Sequence, residues 1–400
     1  MKERAISYLA VTVIIAVLVL ASVGAYLALS KGSSSTPTST PSQTSTPSQT
    51  TSAPIQTTTQ KPPATTTTSQ LSVTLKAGGA TFPLPQYIAW INEFMKNYPN
   101  IKISYEGVGS GAGQSNFFAG VFDFAGSDPP LSKSQWSNYT GRVMQIPIVA
   151  GAIVIVYNVP NLNGQLKVTP EILAMIYNGT IEYWDDPAIR QVNPNLNLPH
   201  QKIFVVFRSD ASGTQEIFTT YLNVAAPQYW PTSLVGKAPD YPVKATGRAA
   251  GGQGNPGVAA ILNQTPYSIG FVEWNYAIQQ NMTMALLRNA NGNYVLPTTQ
   301  GIIEALNSAG GSIPLDPFAD FSQDIKAFLN LPGNDSYPII AATHLLVWGK
   351  YQNKDIAKGI ATFLEWILKY GDNYIVPGYA PVGSTLKQIG YKAVDVLNSQ

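Results

Sequence analysis

Cysteine is absent from all 400 residues. That excludes a disulfide framework, a thiolate metal site and a cysteine nucleophile. Histidine is almost absent as well, with only His200 and His344. His200 sits in a polar loop and is expected to be solvated; His344 sits in an apolar run and is expected to pack in a core. A serine hydrolase needs a base beside its nucleophile, so a catalytic triad has little to draw on. Charge is scarce too, at 12% of the chain. The formal net charge is +2, but residues 1–70 hold Lys2, Arg4, Lys31 and Lys61 against Glu3, so residues 71–400 sum to −1. A near-neutral body is no nucleic-acid binder by bulk electrostatics. If it takes an anion, it does so through aimed local donors. Asp185 and Asp186 are adjacent, but no His or Glu cluster lies near them, so neither a metal site nor any other cofactor is expected. Asp186 is expected to cap a helix that has Pro187 in its first turn.

Residues 1–70 do not belong to the folded body. The stretch 6–29 is an almost unbroken apolar run of 24 residues, long enough to span a bilayer. Lys2 and Arg4 precede it, which keeps the N-terminus in the cytoplasm and sends the rest outside. Residues 1–30 therefore read as a single-pass anchor, with a cleaved signal peptide as the competing reading. From 31 to 70 the chain is almost all Ser, Thr, Pro and Gln, with TSTPSQ twice in tandem. Such a segment cannot bury enough surface to fold and reads as a disordered stalk. Glycosylation sequons at Asn138, Asn178, Asn263, Asn281 and Asn334 fit an extracellular glycoprotein.

Beyond residue 70, short apolar runs alternate with amphipathic stretches. Strands are expected over 73–76, 101–105, 153–157, 203–207 and 269–273, and helices over 85–98, 170–177, 215–222 and 356–370. The pattern means an α/β fold with open sheets, whose ligands sit beyond the carboxyl ends of strands. Three loops at such ends are rich in donors. RSDASGT (208–214) follows a β-branched run and opens a helix, combining a guanidinium fork with hydroxyls and unpaired N–H groups. That combination suits an anion. ATFPLP (80–85) offers Thr81 and the Phe82 N–H; GVGSGAG (107–113) offers Ser110 and glycines that let the backbone come close. A fourth stretch, FDFAGSDPPL, ends on a carboxylate, Asp128.

These motifs resemble the phosphate-binding proteins of the high-affinity phosphate ABC importer. The likeness runs from about residue 71 to the C-terminus and includes GGATFPLPQY, GVGSGAG, FDFAGSDPPL, YNGTIEYWDDPAIRQVNP, FRSDASGTQEIFT, NPGVAA and TPYSIGFVE. It implies a periplasmic-binding-protein-like fold of two lobes on a two-stranded hinge, here 71–145 with 338–400, and 146–337. The hinge crossings are expected near 145–147 and 337–338. It also implies a monomer that delivers inorganic phosphate to permease subunits, and no enzyme. The family's ligand contacts fall on Thr81, Phe82, Ser110, Asp128, Arg208, Asp210, Ser212, Gly213 and Thr214. The departures, AGSDPP and DASGT for the family's GASDAP and DGSGT, flank these positions without replacing them.

Other readings remain at this point. GVGSGA partly matches a dinucleotide fingerprint, a weak signal on its own. Ser212 before Gly213 could suggest an esterase or phosphatase nucleophile. A receptor for another tetrahedral oxyanion such as sulfate is the near alternative. Asp128 decides between anions, because it can accept a hydrogen bond from a protonated phosphate oxygen. Sulfate has no proton to give at neutral pH and would leave that carboxylate unpaired. Losing one buried charged hydrogen bond costs about 2 to 4 kcal/mol, or about 30- to 1,000-fold in affinity.

Overall fold

The computed structural model of the chain describes residues 71–309 and 313–400. The anchor expected over 6–29 and the stalk expected over 31–70 lie outside the described residues. Among the described residues, no helix is long and apolar enough to cross a membrane.

Each parallel strand runs into a loop and then a helix. β1 (Val73–Gly79) leads to α1 (Leu84–Asn97), and β2 (Ile101–Gly107) leads to α2 (Ser110–Phe118). α1 starts with a proline in its first turn, where no N–H is needed. It buries Tyr87, Trp90, Ile91 and Phe94, a stripe at helical spacing that covers one sheet face. Pro99 follows closely and cannot continue the helix. β3 (Phe124–Ser127) ends one residue before Asp128.

β4 (Val143–Asn158) is 16 residues long and buried throughout except at Asn158. A continuous apolar run is what a strand covered on both faces requires. Helices α3 (Pro170–Tyr177) and α4 (Pro187–Val192) follow, the latter capped by Asp186, whose side chain accepts from the Ala188 N–H at 2.8 Å. β5 (Phe204–Arg208) leads to α5 (Gly213–Ala225), β6 (Ala249–Gly252) to α6 (Gly254–Gln264), and β7 (Ser268–Glu273) to α7 (Trp274–Gln279). β8 (Ile340–Trp348), α8 (Lys354–Tyr370), β9 (Tyr379–Pro381) and α9 (Gly383–Asn398) complete the chain.

Nine strands form one sheet in the order β2-β1-β3-β8-β4-β7-β5-β6, with β9 also paired to β4. β1 is parallel to β2 and β3, and β5 is parallel to β6 and β7. The centre is antiparallel. Val143 to Ala152 of β4 pairs with β8, and Ile153 to Asn158 pairs with β7. Pro147 has no N–H to give the ladder, and the β4–β8 register shifts beside it, between Thr343 and His344. The first half of β4 was not among the strands expected from sequence. Pro147 and Gly151 break its pattern, yet both fit inside the sheet.

Four of the six parallel strands, β1, β2, β3 and β5, therefore aim their carboxyl ends at the loops that the sequence marked. The loops of β1, β2 and β3 belong to one half of the sheet, and that of β5 to the other.

Candidate functional site

Asp128 lies at the centre, 2% exposed. Its Oδ1 accepts from Thr343 Oγ1 at 3.1 Å, and its Oδ2 from Ser110 Oγ and Thr214 Oγ1, each at 3.4 Å. Its own N–H donates to Ser110 Oγ at 3.2 Å. Burial pushes the Asp128 carboxyl up to about 7, against the pull of the Arg208 guanidinium and the three hydroxyl donors. The carboxyl is thus balanced near neutrality between holding and losing its proton.

Arg208 ends β5 with its side chain 1% exposed, paired with Asp210 at 9%. Nε donates to Asp210 Oδ1 at 2.8 Å and Nη2 to Oδ2, a two-pronged grip. Asp210 Oδ1 also accepts from the Gly254 N–H at 3.0 Å. Asp210 is therefore neutralised by arginine and holds the fork in one plane. Nη1 reaches Thr214 Oγ1 at 3.3 Å. Of five guanidinium N–H groups, three are spent in this way and two remain for a ligand.

Ser212 caps α5, its Oγ accepting from the Gln215 N–H at 3.2 Å. The Gly213 and Thr214 N–H groups open that helix without an acceptor among the described residues. Ser110 is the first residue of α2 on the opposite half, where Gly109 is the N-cap, no side chain caps the helix, and the Gly111 N–H donates to Ala211 O at 2.9 Å. Two helix N-termini thus converge on one place, each with partial positive charge. The approach is close. Gly109 is left-handed at φ +87, and a Cβ there would strike Asp210 Oδ2. A Cβ on Gly213 would strike Ser110 Oγ and lie 2.8 Å from Asp128 Oδ2.

Thr81 joins through Asn255. Thr81 Oγ1 accepts from Asn255 N at 3.1 Å and Nδ2 at 3.2 Å, and Nδ2 also reaches Thr214 Oγ1 at 3.2 Å. The Phe82 ring is fully buried, while its N–H has no acceptor among the described residues. Hydrogen bonds join Thr81, Ser110, Asp128, Arg208, Asp210 and Thr214 into one cluster, and Gly213 lies against Ser110 and Asp128; Ser212 turns its hydroxyl to its own helix, and the Phe82 ring packs in the core. Sequence reading missed Asn255, Thr343 and Lys237. Asn255 lay inside NPGVAA without a role; an amide at the head of a run of small and apolar residues was the available signal, and the structure buries it completely. Thr343 is a hydroxyl in an apolar strand, fully buried. Lys237 Nζ crosses to Gln114 Oε1 at 3.0 Å, while its carbonyl accepts from the Ser212 N–H at 2.9 Å.

The site lacks the parts of a hydrolase. His344 is buried against the Asp128 carbonyl at 3.3 Å, held near 4 by desolvation and so neutral. His200 is exposed and bonds Asp185 at 3.0 Å. Neither bonds Ser212, so its hydroxyl has no base. What the arrangement can do is surround a small oxyanion with N–H and O–H donors and offer it one carboxylate.

A family model described as a PBP superfamily domain matches residues 42–369. The phosphate-binding protein PstS of Methanocaldococcus jannaschii is 42% identical over 338 residues, 82% of this chain and 87% of that protein. PstS of Haemophilus influenzae is 34% identical over 319 residues, covering 78% of this chain and 91% of its own. Among solved structures, the phosphate-bound periplasmic phosphate-binding protein PfluDING matches with a TM-score of 0.62 at 23% identity, covering 79% of this chain and 92% of that one. At that identity the match speaks for the fold. The family model and these relatives together place the chain in the PBP superfamily and, within it, in the family of PstS phosphate-binding proteins.

Proposed function

We propose that this chain is an extracytoplasmic receptor that closes on one inorganic phosphate and hands it to the permease of an ABC importer. The observation that carries the reading is a buried carboxyl, Asp128, set among hydroxyl donors and facing two helix N-termini. A site built only to hold an anion has no use for that acceptor. A site built for a protonated anion does. Thr81, Phe82, Ser110, Asp128, Arg208, Ser212, Gly213 and Thr214 are the ligand set, with Asp210 holding Arg208 in place. The fixed charges, Arg208 against Asp210 and Asp128, sum to zero with Asp128 protonated and to −1 with it ionised, so hydrogen bonds and helix dipoles do the holding.

The two halves of the sheet are the two lobes of this reading, 71–145 with 338–400 and 146–337. A crossing on β4 near 145–147 is supported by the change of partner that β4 makes a few residues on, between Ala152 and Ile153. Residues 6–29 anchor the receptor at the outer face as a single pass, and the stalk gives a monomeric domain reach to the permease. Isothermal titration of the purified protein should give one phosphate per chain and far weaker sulfate binding at mildly alkaline pH. Equal affinities there would sink the phosphate assignment. Fractionation with N-terminal sequencing tests the anchor: free protein beginning near Ser30 would make the run a signal peptide.

A further inference from the structure

Three successive carbonyls of the loop after β1 each accept from a tyrosine phenol. Tyr105 donates to Ala80 O at 3.0 Å, Tyr276 to Thr81 O at 2.6 Å and Tyr379 to Phe82 O at 2.6 Å. Tyr105 comes from β2, Tyr276 from α7 and Tyr379 from β9, so the loop is gripped from three elements. In a trans peptide the N–H points opposite to the C=O. Fixing the carbonyls of Ala80 and Thr81 therefore aims the N–H groups of Thr81 and Phe82 the other way. Donation to the Ala80 and Thr81 carbonyls also polarises the N–H of the same peptide and makes it a better donor; the Phe82 carbonyl is followed by Pro83, which has no N–H, so Tyr379 holds the end of the loop in place.

Tyr379 has a second contact that restricts where protons can be. Its oxygen lies 2.9 Å from Glu273 Oε2, while Glu273 Oε1 accepts from the Asn275 N–H at 2.9 Å. A phenol has one proton to give, and the Phe82 carbonyl can only accept. With the phenol proton on Phe82 O, the contact between Tyr379 and Glu273 is a hydrogen bond only if Glu273 supplies the proton. An ionised Glu273 would compete for the phenol proton, or leave two bare oxygens facing each other in a dry interior. Glu273 is fully buried. The groups acting on it are Tyr379 from β9, Asn275 and Tyr276 from α7, and the Asp128 carboxyl beyond β3, which disfavours a second negative charge nearby. Desolvation holds the Glu273 carboxyl well above the usual carboxylate range.

We propose that Glu273 keeps its proton at neutral pH, and that this neutral acid, by releasing the Tyr379 phenol to bind Phe82 O, fixes the Thr81–Phe82 loop in its anion-receiving form. Glu273 and the three tyrosines are positioning residues, since none is placed on the ligand. The inference rests on the phosphate reading of the site. A neutral acid here also spares the bound anion a third negative neighbour beside Asp128 and Asp210.

The test combines infrared spectroscopy with phosphate titration of the whole protein. At mildly alkaline pH, the difference spectrum of parent minus Glu273→Gln should show a protonated carboxylic acid carbonyl band. Glu273→Ala should weaken phosphate binding by about 10- to 100-fold, and Tyr379→Phe by a similar factor. Glu273→Gln should recover most of that loss, because its amide can donate to Tyr379 while its carbonyl accepts from Asn275. A parent that binds phosphate but shows carboxylate bands for Glu273 overturns the inference and leaves the functional reading standing. So does a Gln variant that binds as poorly as Glu273→Ala. A parent that binds no phosphate overturns the functional reading, and this inference with it.

Discussion

Asp128 makes the choice between phosphate and sulfate a function of pH. The carboxyl is 2% exposed, and its burial lifts it to about 7. Below that pH the free site already holds a proton on Asp128, which can be donated to either anion. Above it the free site holds a carboxylate. Sulfate then binds only if a proton is taken up with it, and each further pH unit costs about 1.4 kcal/mol, or tenfold in affinity. Phosphate above neutrality is a dianion that still carries one proton, so it satisfies Asp128 without uptake. The sign follows from the raised carboxyl: the ionised form is the one that rejects sulfate, and it prevails as pH rises. The phosphate-to-sulfate affinity ratio should therefore climb about 100-fold between about pH 7 and about pH 9. Calorimetry in two buffers of different ionisation enthalpy should count about one proton taken up per sulfate and about none per phosphate. Asp128→Asn keeps a donor at every pH, so its ratio should stay flat and lower. A parent whose sulfate affinity holds constant over that pH range would refute the reasoning.

Three further outcomes follow from the same geometry. Gly213→Ala should abolish tight phosphate binding with the fold intact by circular dichroism, because its Cβ would strike Ser110 and Pro129 across the site; unchanged calorimetric affinity would show that the two helix ends need not approach. Arg208→Ala should cost about 3 to 5 kcal/mol in chemical denaturation by stranding buried Asp210, and phosphate binding with it, whereas Arg208→Lys keeps the charge, loses the fork and should fall between in both measurements. Asn255→Ala should raise the phosphate Kd about 10-fold by titration, through loss of its bonds to Thr81 and Thr214, with thermal stability reduced far less than in Arg208→Ala.

The donor loops were legible because each is a local event. A β-branched run, a small-residue turn and a helix start are read within ten residues, and RSDASGT showed its arginine, carboxylate and hydroxyls together. The fork geometry pairs that arginine with its neighbouring carboxylate, Asp210. Long-range partners were not legible. Thr343 lies more than two hundred residues from Asp128 along the chain, and no local pattern marks it. Nor does a local pattern mark Tyr105, Tyr276 and Tyr379, which reach the β1 loop from three other elements. β4 was half missed because proline and glycine suggest breaks, while a buried sheet absorbed both with one register shift.

The place of β8 in the sheet has a consequence for how the chain comes into being. Residues 340–348 lie between β3 and β4, so the half-sheet that carries Thr81, Ser110 and Asp128 has a central gap until nearly the whole polypeptide is available. Contacts of such sequence separation form late and slowly. Thr343, the donor to Asp128 Oδ1, arrives on that same strand. A nascent chain emerging from its N-terminus therefore cannot assemble the anion site early. It stays without a closed sheet until residues 340–348 follow.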